Sequence, residues 1–188
     1  MNKPQNIIVH HTLVSREKNP NQFEAVNDYH IRKGWGKIGY HYLIEADGTI
    51  KKGREETEEG AHTKEERMNY RSIGICLTGN FDEEEPTLEQ CKALHSLITQ
   101  TQNKYSIPDS RIYPHRHFTT YKSCWGNKLP NDVLGYLRMR IKGNDELEPW
   151  QKELFVWASE DIKDMKKLMD GNIWSILALV KRKLDKIK

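Results

Sequence analysis

Residues 72–79 read SIGICLTG, a nearly continuous apolar run with turn-forming residues around it. An apolar run of this length between turn signals is typical of a strand buried inside a sheet. We therefore interpret residues 72–79 as the central strand of an α/β fold and assign the rest of the chain around it.

A second short strand is predicted near the start of the chain, where β-branched residues form the run Ile7–Val9. His10 and His11 follow at its carboxyl end, which is where α/β folds place their chemistry. Apolar residues at helical spacing then predict a helix over about residues 21–33. His30 falls on the apolar face of this helix, and we expect it to be a packing histidine.

Residues 39–50 have the pattern of a β-hairpin, with aromatic and branched residues before an Asp47-Gly48 turn. Period-two alternation would put Tyr40 on the face opposite His41. The polar, glutamate-rich residues 54–70 should then form an exposed loop. Within it, the small-residue turn at residues 60–63, GAHT, carries His62.

An acidic turn follows the central strand, and Thr87 and Gln90 then form a capping-box pattern. A helix of about 17 residues should begin there. Another helix should begin near residues 130–131 and end near residues 143–144. The order of strand, helix, hairpin, strand, helix, loop and helix predicts a central mixed β-sheet flanked by helices.

The sequence changes character after residue 143, where two amphipathic stripes are separated by Gly171-Asn172. We expect residues 144–188 to form a C-terminal helical hairpin, which would be a cap, a dimer contact or a wall-targeting element. Trp174 and the basic cluster at residues 181–183 also leave a membrane-surface role open.

Composition narrows the function classes. The formal net charge is only +3, with 30% charged residues, so the concentrated basic face of a nucleic-acid-binding protein is not expected. Three cysteines without a CxxC pair, in a chain that starts MNKPQN, favour synthesis in a reducing cytoplasm without a signal peptide. Cys76 and Cys91 are expected in the core. No run approaches the length of a transmembrane helix.

Residues 113–126, YPHRHFTTYKSCWG, concentrate side chains that bind metal. Imidazole and thiolate are preferred zinc ligands, and a lysine beside them can stabilise a developing oxyanion. A catalytic zinc site needs three protein ligands and an open position, so at least one ligand should come from elsewhere. Residue types alone leave the choice open among His10, His11, His41, His115, His117 and Cys124.

Five pieces of this sequence occur in an order that resembles the zinc-dependent N-acetylmuramoyl-L-alanine amidases, the family of amidase-type phage lysozymes and peptidoglycan recognition proteins. They are IIVHHT, GYHYLIEADGTI, GAHT, SIGICLTG with its acidic turn, and HR followed by KSCWG, within residues 6–141. The resemblance implies that residues 1–143 are a zinc amidase catalytic domain. It also implies Zn²⁺ as cofactor, with His10, His115 and Cys124 as ligands and Tyr40 and Lys122 as catalytic residues.

The implied activity is hydrolysis of the amide between N-acetylmuramic acid and L-alanine in peptidoglycan, as in a phage or prophage endolysin. Zinc would activate a water molecule, Lys122 would stabilise the oxyanion, and Tyr40 would orient the water or assist proton transfer. We expect His62 and Asn69 to contact the muropeptide and His11 to support the site. Such an enzyme would be made in the host cytoplasm and act on the wall after release. A non-catalytic receptor and a cytosolic recycling amidase are the alternatives.

Three departures from the family pattern concern the metal ligands. Trp125 stands where proline usually follows the cysteine, and His117 stands where aspartate usually follows HR. His115 lies nine residues before Cys124 and His117 seven, whereas eight is usual. We prefer His115, because Arg116 adjoins it and the loop at residues 119–121 can absorb one extra residue.

Overall fold

The central strand predicted from the sequence is β4, Ser72–Leu77, in a five-stranded sheet. The computed structural model describes residues 1–119 and 121–145. The strands follow the spatial order β3-β2-β4-β1-β5. The other four are β1 (Asn6–His11), β2 (Tyr42–Ile44), β3 (Ile50–Lys52) and β5 (Ile112–Pro114).

The sheet is mixed, as expected. β1 pairs in parallel with β4 and β5, and β2 pairs in parallel with β4 but antiparallel with β3. All residues of β1 and β4 are buried, which is the environment that their apolar sequences predict. The register places His10 beside Cys76, so the carboxyl ends of the two central strands meet at one edge of the sheet.

In the described part of the chain, three α-helices accompany the sheet: α1 (Phe23–Arg32), α2 (Leu88–Tyr105) and α3 (Val133–Asp145). The capping box at the start of α2 is present with both hydrogen bonds, since Gln90 N–H donates to Thr87 Oγ1 and Thr87 N–H donates to Gln90 Oε1. Cys91 packs into the core from this helix, and Cys76 is equally buried in β4. Both cysteines are core residues, as predicted.

The start of α1 is held by a buried carboxylate. Glu45, which is 2% exposed, accepts hydrogen bonds from the backbone N–H groups of Gln22 and Phe23, both at 2.8 Å. The Thr78 hydroxyl donates to the same carboxylate at 2.7 Å. A single side chain therefore ties the helix to β2 and to the end of β4.

Two elements differ from the sequence-based expectation. The predicted order of elements has a loop where the structure has strand β5, because three residues that include Pro114 carry too little local signal for a strand. The loop at residues 54–70 is not wholly exposed: it contains a 3-10 helix, Glu65–Tyr70, whose Met68 is 4% exposed. Met68 supplies an apolar anchor within an otherwise charged segment.

Met1–Gly143 forms one compact unit, and the division into a catalytic domain and a C-terminal segment stays a prediction. The predicted helical hairpin at residues 144–188 lies outside the described residues from residue 146 onward. Within residues 1–119 and 121–145, no helix has the length and apolar character needed to cross a membrane.

Candidate metal centre and active site

A cavity of about 470 Å³ opens at the carboxyl ends of the central strands. The sheet order puts β2 and β5 on opposite sides of the central pair, so this cavity has two walls. Tyr40, just before β2, lines one wall, and Lys122, in the segment after β5, also lines the cavity. His10 lies between them at the end of β1.

Three side chains that bind metal ions converge in this cavity. One ligand atom from each of His10, His115 and Cys124 lies within 4.8 Å of the other two. The rings of His10 and His115 are 4.4 Å apart between centroids, and His10 Nδ1 lies 3.7 Å from Cys124 Sγ. Two imidazoles and a thiol around one point match the donor set of a three-ligand zinc site.

The electrostatic environment keeps both imidazoles neutral. Burial and the neighbouring His115 lower the pKa of His10, and burial followed by the charge of Lys122 lowers the pKa of His115 to about 4. Burial raises the pKa of the Cys124 thiol to about 12. Neutral imidazoles offer free lone pairs, and a buried thiolate needs a nearby cation. The donor set therefore suits a divalent metal ion.

His115 and His117 have different environments. His115 is 4% exposed and its Nε2 atom is buried without a hydrogen-bond partner. A buried ring nitrogen without a partner is costly unless another ligand, such as a metal ion, satisfies it. His117 is exposed and stacks on Tyr113 at 4.5 Å. The structure thus brings His115, and not His117, to His10 and Cys124.

Arg116 organises the loop that carries Cys124. Its backbone N–H donates to the carbonyl of Cys124 at 2.5 Å, and its guanidinium donates to Gly126 O at 2.5 Å and to Leu129 O. The same guanidinium also donates to Asn131 Oδ1 at 2.7 Å. The residue beside one candidate ligand therefore fixes the backbone around the other.

Asp82 holds the same loop from the opposite side. Its carboxylate accepts hydrogen bonds from Ser123 Oγ and from Asn127 N, both at 2.7 Å, and so brackets Cys124. Partial burial raises the pKa of Asp82, but the hydrogen bonds from Ser123 and Asn127 outweigh it and bring the pKa below its usual value. The acidic turn after β4 is therefore a support for the cysteine loop.

Trp125 explains how the loop tolerates the absence of proline after the cysteine. Its side chain is fully buried, and its indole N–H donates to Pro130 O at 3.0 Å. The ring also packs edge-to-face against Tyr136 of α3. Core packing thus anchors the residue next to Cys124.

Tyr40 and Lys122 both line the cavity that contains the candidate metal centre. The Tyr40 ring is half-buried and lies 5.1 Å from the His10 ring. Burial raises the pKa of Tyr40, so its hydroxyl keeps its proton near neutral pH and can act as a donor. Lys122 is exposed at the cavity, with Nζ 5.6 Å from the Tyr121 ring centroid.

The remaining predicted site residues support the centre in different ways. His62 lines the cavity, and its Nδ1 lies 3.1 Å from His10 Nε2. Asn69 Oδ1 accepts hydrogen bonds from the backbone N–H groups of His62 and Thr63. His11 is buried, and its ring Nδ1 accepts a hydrogen bond from Phe81 N at 3.0 Å. The backbone N–H of His11 donates to Cys124 Sγ at 3.4 Å. Muropeptide contact by His62 and Asn69 stays a prediction.

Two residues near the site were not singled out from the sequence. Asp82 was only part of an acidic turn, and Trp35, which lines the cavity, carried no motif. The position of an acidic turn directly after the central strand is a signal that could have indicated Asp82. The two glycines that flank Trp35 could have indicated a tightly shaped turn.

The fold and the cavity define a class of amide hydrolases, and comparison with known proteins identifies it. Residues 1–127 match the N-acetylmuramoyl-L-alanine amidase family. The chain is 32% identical to the endolysin of Escherichia phage T7 over 123 residues, which cover 63% of this chain and 78% of the phage protein. It is 31% identical to peptidoglycan-recognition protein SC1a of Drosophila melanogaster over 135 residues, 69% of this chain and 71% of the insect protein.

A solved structure agrees with these sequence relatives. N-acetylmuramoyl-L-alanine amidase LysC from Clostridium intestinale superposes with a TM-score of 0.63 at 32% identity, over 75% of this chain and 87% of LysC. The chain therefore belongs to the N-acetylmuramoyl-L-alanine amidase family. It is an enzyme of that activity, which hydrolyses the amide between N-acetylmuramic acid and L-alanine.

Proposed function

We propose that this amidase is a zinc-dependent endolysin that acts on bacterial peptidoglycan from outside the cytoplasm, after release from the cell that made it. The observation that carries the metal dependence is the convergence of His10, His115 and Cys124 on one point of the cavity. Similarity to the endolysin of phage T7 supports the biological role.

The protonation states of His10, His115 and Cys124 support their assignment as the zinc ligands. His10 and His115 would bind through neutral imidazoles, and Cys124 would bind as a thiolate whose negative charge the metal ion compensates. Zinc, when bound by these residues, would supply Lewis acidity and activate a water molecule for attack on the amide. The partnerless Nε2 of His115 supports this assignment over His117.

The chain's own side chains would perform the remaining chemistry. Lys122 supplies a positive charge at the cavity, which would stabilise the negative charge that develops on the carbonyl oxygen of the lactyl amide. The centroid of the Tyr40 ring lies 5.1 Å from that of the His10 ring. The protonated hydroxyl of Tyr40 would orient the attacking water or pass a proton to the departing amine. His62 would fix the orientation of the His10 ring through the contact at Nε2.

Zinc content and amide cleavage in matched variants test this proposal. His115→Ala should lose bound zinc and the release of free L-alanine amino termini from purified cell walls. His117→Ala serves as the matched control and should keep both, since its ring stacks on Tyr113 away from the cluster. Full zinc retention in His115→Ala would overturn the ligand assignment.

The receptor alternative makes a different prediction in the same experiment. A non-catalytic peptidoglycan-binding protein would bind walls without releasing amino termini when zinc is present. A recycling amidase that works in the cytosol would prefer free muropeptides to intact walls. We therefore expect wild-type protein to clear walls, to stop when a chelator is added, and to resume when zinc is restored.

We also propose that residues 1–143 are the catalytic domain and that residues 144–188 form a separate cap, dimer contact or wall-targeting segment. The family match ends at residue 127, and Met1–Gly143 forms a compact unit. Deleting residues 146–188 and measuring wall binding, oligomeric state and thermal stability separates the three roles. A targeting segment would change wall binding alone.

A further inference from the structure

Trp35 is an exposed aromatic side chain that lines the cavity and is linked to Tyr40 through His30, and the proposed roles of Tyr40 and Lys122 do not involve its indole. Its side chain lines the cavity, and the residue is 40% exposed. A ligand that covers an exposed indole in a concave site removes apolar surface from water, which favours binding. Because Trp35 lines the same cavity as the candidate metal ligands, we expect it to contact the substrate.

The backbone holds Trp35 in a defined position. Gly34 and Gly36 on either side have φ values of +80° and +76°, a conformation that other residues rarely adopt. The Arg54 guanidinium donates to the carbonyls of Trp35 and Ile38, both at 2.9 Å, and to Glu59 O at 3.0 Å. These contacts hold the backbone on both sides of Trp35, so little backbone freedom is lost when a ligand binds there.

A series of neighbouring aromatic rings, in tilted and edge-to-face contacts, connects Trp35 to the metal-binding residues. Trp35 lies 4.5 Å from His30 at an interplanar angle of 31°, His30 lies 5.6 Å from Tyr40, and Tyr40 lies 5.1 Å from His10. Gly39 N–H donates to His30 Nδ1 at 3.0 Å, which fixes the ring that supports the indole. His30 thus packs against the indole, while 40% of Trp35 stays exposed to a ligand in the cavity.

The neighbouring Tyr29 is less suited to this contact. It also lines the cavity and is 50% exposed, but Lys33 Nζ lies 5.1 Å from the centroid of its ring. A cation held over an aromatic face already uses the attraction of that face. Among the described residues, no cation lies over the ring of Trp35, so Trp35 suits a neutral ligand better than Tyr29 does.

The two walls differ in the ligand chemistry that they favour. On the Lys122 side, the cavity presents a cation, the Ser123 hydroxyl and the Tyr121 hydroxyl, which donates to Glu65 at 2.9 Å. Such groups suit the amides and carboxylates of a peptide. The Trp35 side presents neutral rings. A pyranose has an apolar face of C–H groups, whose partial positive charge is attracted to the electron-rich face of an aromatic ring.

We propose that Trp35 is a specificity-determining residue that stacks against a saccharide ring of the glycan strand, so that the sugar lies on the Trp35 wall and the stem peptide on the Lys122 wall. This inference rests on the proposed function, because the scissile amide must sit at the cluster of His10, His115 and Cys124. A short lactyl bridge joins the sugar to that amide. A saccharide ring of the bound substrate must therefore rest on a surface close to the cluster.

Kinetics with two soluble substrates test the assignment. One substrate is a disaccharide-peptide, and the other is the same peptide carrying D-lactate in place of the whole sugar. Trp35→Ala should lower kcat/KM for the disaccharide-peptide by about tenfold and leave the lactyl-peptide unchanged. Trp35→Phe should retain part of the effect, whereas Trp35→Leu, which is apolar without a flat face, should resemble Trp35→Ala.

Ile31→Ala provides the matched control, since Ile31 is 46% exposed on α1 and does not line the cavity. A binding measurement with a peptide-free oligosaccharide of N-acetylglucosamine and N-acetylmuramic acid gives a readout independent of turnover, and Trp35→Ala should weaken this binding about tenfold. Wild-type affinity in Trp35→Leu, or equal losses on both kinetic substrates, would overturn the inference. A wild-type protein that cleaves neither substrate would refute the proposed function, and the oligosaccharide measurement would still decide the role of Trp35.

Discussion

Removing the Asp82 carboxylate should weaken zinc binding without touching a candidate ligand. Asp82→Ala deletes the acceptor of the Ser123 and Asn127 hydrogen bonds, both 2.7 Å long, on the two sides of Cys124. Hydrogen bonds to a charged group contribute about 1.5–3 kcal/mol each, and half-burial of Asp82 favours the lower end of that range. Loss of such a support around a metal ligand typically costs 10–100-fold in affinity, about 1.4–2.8 kcal/mol.

The assay is a competition titration of zinc against a chromophoric chelator. Asp109→Ala is the matched control, because the Asp109 carboxylate also accepts two hydrogen bonds, from the side chains of Gln102 and Arg138, but on the surface away from the cavity. Asp82→Asn should fall between wild type and Asp82→Ala, since its amide oxygen can still accept from Asn127. The reasoning is refuted if Asp82→Ala folds normally and binds zinc with wild-type affinity.

Two further predictions concern stability. Burial lowers the pKa of His41 from 6.5 to about 4 against the opposing influence of the Glu58 carbonyl, with Arg54, Glu56 and Glu58 as its charged neighbours. Because the pKa of His41 is lower in the folded state than in the unfolded state, its contribution to the free energy of unfolding is fully present above about pH 6.5. This contribution falls by about 3 kcal/mol as the pH falls toward 4. Urea unfolding at pH 7.5 and pH 4 with a chelator present should show that His41→Gln loses less stability than wild type, and equal losses would contradict the prediction. Thr87→Ala should lower the free energy of unfolding by about 1 kcal/mol through loss of the α2 cap, whereas Thr87→Ser, which keeps the hydroxyl, should remain close to wild type in the same measurement.

The features that the sequence predicted well are those with a local cause. The capping box at Thr87 and Gln90 needs only residues three apart, and both hydrogen bonds are present. The apolar runs of β1 and β4 predicted burial on both faces, which the structure confirms. The order of five short motifs identified the amidase family, which the comparisons confirm.

The features that the sequence left open depend on contacts between distant residues. The spacing to Cys124 fits neither His115 nor His117, so the sequence supported only a preference for His115, and the environment of that residue depends on how Arg116 holds the carbonyls of Gly126 and Leu129. Strand β5 exists through its pairing with β1, which three residues with a proline cannot signal. The role of Asp82 likewise depends on a loop 41 residues further along the chain.

The separation of the candidate ligands along the chain has a consequence for the timing of activity. His10 and Cys124 are 114 residues apart, and His10 lies on a strand enclosed by β4 and β5. Closing a loop of that length is entropically unfavourable unless the intervening sheet has already formed. A chain that is unfinished or only partly folded therefore cannot assemble all three donors, and zinc, which would bind the native state in preference, would stabilise only the completed enzyme. Zinc would thus bind only after the sheet has folded, and lytic activity could not begin before folding is complete.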